Sequence, residues 1–219
     1  MRVPRPFPAF LLFAVCGTAA AVEPFDCRNG LFPADIDAIS AGRIAAVAGP
    51  RVRLRADDEG CPEAERCVQK AYLVPGDRVL VSTRDPQWAC VWYSGRKRET
   101  VGWLPASAVE AVVAAVPELQ AWVGRWRAVS GDNEIEIRSV GDRLAVTGDA
   151  TWQGVASVNV GQFEGEGMPE GDRWIVGDVA VEYECAVDMR LVAGQLVVHD
   201  NGNCGGLNVR FDHVYRKAR

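Results

Sequence analysis

Apolar and polar side chains alternate with a period of two through two stretches of this chain, residues 50–109 and 122–216. In the first, Val52 and Leu54 alternate with Arg51, Arg53 and Arg55, which predicts a strand with one wet face. Pro75-Gly76-Asp77 predicts a turn, and 77–82 a second strand. Residues 88–93 predict a third, with Trp88, Cys90 and Trp92 on one face and Ala89, Val91 and Tyr93 on the other. Val101-Gly-Trp-Leu-Pro105 closes the set, in outline a small meandering barrel.

In the second stretch, Ile135 and Ile137 alternate with Glu134, Glu136 and Arg138, and a turn at Gly141-Asp142 leads into Leu144 and Val146. Further strands are expected at 155–160, 174–176 and 179–187, with a hairpin turn at Ala193-Gly194. The last strand is expected to place Leu207, Val209, Phe211, His213 and Tyr215 on one face. With no helix-period stripe, about eight strands predict an up-and-down barrel or a small sandwich. Residues 110–121 between the stretches are small, contain Pro117 and lack alternation, which reads as a linker with a short helical start.

The opening MRVPRPFPAFLLFAVCGTAAA changes the setting. Arg2 and Arg5, the apolar run 7–15, and Ala19 and Ala21 have the three parts of an export signal over residues 1–21. That run is short of the roughly 20 apolar residues a membrane span needs, and no later stretch approaches it. Arg2 and Arg5 leave with the signal and no acid does, so the formal charge goes from −5 to −7. That balance argues against nucleic acid as a partner. Cys16 leaves too, and Cys27, Cys61, Cys67, Cys90, Cys185 and Cys204 remain, an even set that reads as disulfides in an exported chain. Cys185 and Cys204 flank one hairpin. The other four allow three pairings, of which Cys61–Cys67, closing a short insert, and Cys27–Cys90, tying the N-terminal segment 22–48 to a strand, are favoured.

Arg51-Val-Arg-Leu-Arg55, Ala71-Tyr-Leu-Val-Pro-Gly-Asp77, the strand 88–93 and Gly102-Trp-Leu-Pro105 together resemble a bacterial SH3 domain over 49–109. The resemblance implies an SH3-like small barrel and, from the habits of that family, binding of cell-wall or proline-containing peptides. The departure is Arg55-Ala-Asp-Asp-Glu-Gly60, which leads into an insert bounded by Cys61 and Cys67 and expected to lie beside the usual peptide groove. Tyr72, Trp88, Trp92, Tyr93 and Trp103 are the candidate ligand-binding residues, since stacked aromatics offer rigid apolar area with polar edges. About half of them are expected to be packing, because a small barrel needs bulky filling. In 122–219, Trp122-Val-Gly-Arg-Trp126 is similar to the Gly-x-Trp that opens lipocalin-like barrels, which implies a plug at Trp126 and raises the idea of an apolar ligand inside. Residues 200–211 resemble small β domains of exported bacterial proteins.

Catalytic chemistry finds little support. Glu164, Glu166, Glu170 and Asp172 fall in a glycine-rich stretch, 161–171, read as a solvated loop rather than a paired-carboxylate site. His199, Asp200, Asp212 and His213 surround one hairpin without a third suitably spaced metal ligand. There is no Gly-x-Ser-x-Gly elbow. The sequence therefore predicts an all-β, non-enzymatic, periplasmic or secreted protein without cofactor or metal. Its expected partner is a cell-wall peptide or an envelope protein. The alternative is an inhibitor or immunity protein that blocks a basic hydrolase or toxin.

Overall fold

The computed structural model describes residues 27–218 apart from 33–34, 85, 96–97 and 179, so the export signal expected over 1–21 lies outside the described residues. The chain is all-β, a seven-stranded antiparallel sheet followed by a nearly closed eight-stranded antiparallel barrel.

The sheet is built from β1 (Ser40–Ile44), β2 (Val52–Arg55), β3 (Val68–Leu73), β4 (Arg78–Arg84), β5 (Trp88–Ser94), β6 (Glu99–Pro105) and β7 (Val109–Val112). Their order is β3-β2-β6-β5-β4-β1-β7, which leaves β3 and β7 as edges. Two of these strands extend the sheet beyond 49–109. Alternation in β1 is hidden by small residues, and β7 lies in the expected linker, where it pairs with β1 from Ala41↔Val112 to Ile44↔Val109. A helical turn, α1 (Leu119–Trp122), ends the connector rather than starting it.

The two faces of the sheet bury different things. Val52, Leu54, Leu73, Val91 and Leu104 form its own core. On the opposite face Leu80, Cys90, Trp92 and Val101 join Phe32, Ile36 and Ile39 of the N-terminal segment and Val192, Val197 and Val214 of the barrel in one apolar cluster. The N-terminal segment is thus the filling between sheet and barrel. Polar contacts follow the same seam. Arg190 Nη1 donates to the Ile36 and Ile39 carbonyls at 2.8 and 3.0 Å, and Arg216 Nη1 to the Gly95 carbonyl at 2.9 Å.

The barrel runs β8 (Gly124–Ala128), β9 (Glu134–Val140), β10 (Arg143–Gln153), β11 (Val158–Gly167), β12 (Arg173–Val176), β13 (Val187–Val192), β14 (Gln195–Asp200) and β15 (His213–Lys217). Its order is β11-β10-β9-β8-β15-β14-β13-β12. Ala193 and Gly194 both have positive φ, 51° and 81°, as a two-residue hairpin turn with the twist of its strands requires. The curl of the long β10–β11 hairpin depends on Gly148, where a Cβ would sit 2.1 Å from the Phe163 ring.

Four expectations are corrected here. The strand expected at 179–187 starts only at Val187, and Val179 lies outside the described residues. Before it the Asp178 carboxylate and carbonyl take the amides of Ala180 and Val181, a turn that leaves Val181 and Tyr183 exposed. The strand expected at 155–160 starts at Val158, because Gly154 and Ser157 close the hairpin. The expected loop 161–171 is strand as far as Gly167. Glu164 and Glu166 therefore stand on the outer face of β11, opposite Thr147 and Ala145. The last strand is only His213–Lys217. Leu207 is 78% exposed, and the Phe211 amide donates to the Asp200 carboxylate instead of a neighbouring strand.

Candidate functional site

The outer face of the sheet gathers most of the aromatic residues singled out by sequence. Leu73, Ala89 and Leu104 point into the sheet's own core, so their neighbours Tyr72, Trp88 and Trp103 point the other way. Tyr72 on the edge strand β3 is 44% exposed, and the Arg51 guanidinium lies 4.6 Å from its ring centroid. Trp88 on β5 is half-buried, with the Arg55 guanidinium 5.2 Å from its ring. A cation over a ring face restricts the ring without hiding it, and contributes about 0.5–1 kcal/mol at exposed sites.

The other three have structural duties. Trp92 is 1% exposed in the cluster between sheet and barrel, and its Nε1 donates to Glu99 Oε2 at 2.7 Å. Trp103 packs against the same cluster and donates to Asp57 Oδ1 at 2.8 Å. Tyr93, on the opposite face from Trp88, packs on the sheet's own core. Burial and the neighbouring Asp77 raise its pKa, which keeps the hydroxyl protonated.

Two buried carboxylates escaped the sequence reading. Asp57 also accepts the Cys27 amide at 2.9 Å, and Glu99 also accepts the Gly30 amide at 2.8 Å and Ser130 Oγ at 3.2 Å. Together they fasten the N-terminal segment over Trp92 and Trp103. Only their placement next to tryptophan-bearing strands hints at this in the sequence, and an acid there reads equally well as a solvated strand end.

All three disulfides form as favoured: Cys27–Cys90, Cys61–Cys67 and Cys185–Cys204. They indicate an oxidising, extracytoplasmic setting. The Cys61–Cys67 insert lies beside the outer face, held by Arg55 Nη1, which donates to the carbonyls of Pro62 and Ala64 at 2.8 and 3.1 Å.

No family model, curated protein or solved structure matches this chain.

The barrel interior is filled. Trp126, Ile135, Ile137, Leu144, Met189, Phe211 and Tyr215 are each at most 1% exposed and belong to one core. Trp126 Nε1 donates to the Trp122 carbonyl at 2.8 Å, so the tryptophan plugs the barrel, and the idea of a carried apolar ligand fails for want of space. Among the described residues no three histidine, cysteine or acidic side chains gather as a metal site, and no helix is long and apolar enough to cross a membrane.

The polar cluster at the β14–β15 connection closes a loop. His199 Nδ1 lies 2.9 Å from Asp212 Oδ1, which also accepts the Asp200 amide at 2.8 Å. Burial lowers the pKa of His213, more than Glu99, Asp212 and Asp200 raise it, so the folded protein holds its imidazole neutral. The unfolded chain titrates near 6.5, so this contribution is complete above that pH and is lost as the pH falls below it. Burial shifts Asp212 the opposite way, upward, and protonating it in more acidic solution offsets part of the loss. Melting temperature is therefore expected to drop between about pH 7 and about pH 5. His213→Gln should flatten that drop in melts across the same range, and an unchanged slope would assign it to other groups.

Proposed function

We propose that this is an exported, non-catalytic binding protein of the bacterial cell envelope, periplasmic or secreted, whose SH3-like sheet recognises a wall peptide or a protein segment. The observation that carries this reading is Tyr72, an exposed aromatic on an open edge strand with Arg51 lying against it. An extended peptide adds to such an edge through main-chain hydrogen bonds, while flanking side chains select its sequence. Tyr72, Arg53 and the Arg55–Trp88 pair continue the same outer face. The candidate face holds fewer of the five aromatics than the sequence suggests, because Trp92 and Trp103 pack beneath the N-terminal segment and bond to Glu99 and Asp57.

Sedimentation of the oxidised protein with purified peptidoglycan tests this. Co-sedimentation at moderate salt, reduced several-fold by Tyr72→Ala or Trp88→Ala, is the expected result. Both side chains are partly exposed, so loss of fold does not confuse the comparison. Absence of binding at low and moderate salt overturns wall recognition.

A second reading has its own observation. Glu136 and Glu164 flank Thr147 on neighbouring barrel strands, and Glu166 stands beyond them, so a rigid sheet presents three carboxylates outward beside Arg138. Such a surface suits capture of a basic hydrolase. Under that reading Glu164→Lys with Glu166→Lys weakens inhibition of the hydrolase, and the Tyr72 variant leaves it unchanged.

A further inference from the structure

Sheet and barrel meet over their apolar cluster but leave a cleft of about 470 Å³ at one end of the seam. Its floor is the outward pair Ala41↔Val112 on β1 and β7, where the sheet's free edge begins. The connector contributes Pro117 and the barrel Leu191. The volume falls within the range of small-ligand sites. Every lining residue is glycine, alanine, valine, leucine, proline or tryptophan, except Arg78 and Lys217.

That composition is selective in two ways. Small side chains leave a slot suited to methyl groups rather than rings. The two charged members are both cations, and no carboxylate lines the cleft. The nearest acid on the floor strands, Glu110, is already bridged to Arg43 at 2.8 Å. Arg78 is exposed at the end of β4 and forms no ion pair with a described carboxylate. Lys217 Nζ spends one hydrogen bond on the Ala121 carbonyl at 2.8 Å and sits 5.0 Å from the Trp126 ring centroid, leaving ammonium protons for an acceptor. An apolar slot lined by two cations and no carboxylate is complementary to an apolar chain ending in an anion. Beside it, β7 offers a sheet edge on which a peptide backbone finds hydrogen-bond partners and an alkyl chain does not.

We propose that this cleft binds the carboxyl end of a short peptide of small apolar residues, its terminal carboxylate held between Arg78 and Lys217 and its backbone along β7. The site is separate from the Tyr72 face, so each reading stands or falls on its own measurement.

The probes are N-acetyl-trialanine as the free acid, the same peptide as its amide, and octanoate, each titrated by calorimetry into the oxidised full chain. Binding of the acid is expected, with the amide weaker by about tenfold or more, since it lacks the charge-assisted hydrogen bonds. Arg78→Gln should cause a similar loss, and Tyr72→Ala none. Val112→Trp, placed on the exposed floor, should block binding while circular dichroism stays unchanged. Equal binding of acid and amide, no binding of either, or binding of octanoate without the peptide would each overturn the proposal. The last outcome would make the cleft a site for alkyl carboxylates.

Discussion

Replacing Cys27 and Cys90 together by alanine is expected to lower stability by about 4 kcal/mol, more than removing either of the other disulfides. The chain-entropy argument sets the order. The three bridges close separations of 63, 19 and 6 residues, for Cys27–Cys90, Cys185–Cys204 and Cys61–Cys67. Longer loops restrict the unfolded chain more, giving about 4, about 3 and about 2 kcal/mol in that order. The first bridge has a further consequence, because Cys27 anchors the segment that carries Phe32, Ile36 and Ile39 into the cluster between sheet and barrel. With the bridge gone, that segment is held by its apolar packing and by non-covalent ties to Asp57, Glu99, Val101, Arg173 and Arg190. Denaturant midpoints of the three double variants check the ranking. Hydrogen exchange should rise first at residues 27–39 in the Cys27/Cys90 variant. Equal losses from all three would mean that native-state contacts, rather than loop closure, decide.

The segment's importance marks the boundary of what the sequence reveals. Strands with one wet face were legible from alternation alone: β2 as Val52 and Leu54, β9 as Ile135 and Ile137, and the β13–β14 hairpin from Ala193-Gly194. The two faces of β5 were legible as well, but not what each would meet. Trp88, Cys90 and Trp92 share the outer face; Cys90 and Trp92 are covered by the N-terminal segment, which has no period and reads as irregular chain. β7 and the second half of β11 were missed for a related reason. Small residues and glycines weaken the apolar signal, and pairing with a distant strand supplies the order that local pattern lacks. The opposite error occurred at 180–186 and 207–212, where apolar residues occur at strand spacing. There side-chain acceptors, Asp178 and Asp200, take the backbone amides before a neighbouring strand does. The candidate face was half legible. Aromatic residues were found by type, while the division into exposed Tyr72, half-buried Trp88 and sealed Trp92 depends on contacts between segments far apart in sequence.

Trp126→Ala is the second large effect, expected to cost about 3–5 kcal/mol, the range for removing a buried tryptophan. Trp126 is 1% exposed, its indole N–H is satisfied by the Trp122 carbonyl, and Lys217 caps its ring. Removing it leaves a cavity at the barrel end, strips the Trp122 carbonyl of its donor and frees Trp122 from the position where it meets Trp174 edge-on at 6.3 Å. The loss should not stay local. Val192, Val197 and Val214 of the barrel share a core with Trp92 and Val101 of the sheet, so loosening the barrel exposes the face that seals the sheet. One cooperative transition at a lower denaturant midpoint, with unchanged slope, is the expected outcome. Two separate transitions would show that sheet and barrel unfold independently and that the shared cluster adds little. Lys217→Ala supplies the comparison: it removes the cap but not the plug, and should cost about 1 kcal/mol or less. A tryptophan lining a ligand cavity inside the barrel would behave differently, its replacement enlarging a pocket that already had room. Large destabilisation here instead follows from a core in which each neighbouring ring depends on the plug for its position.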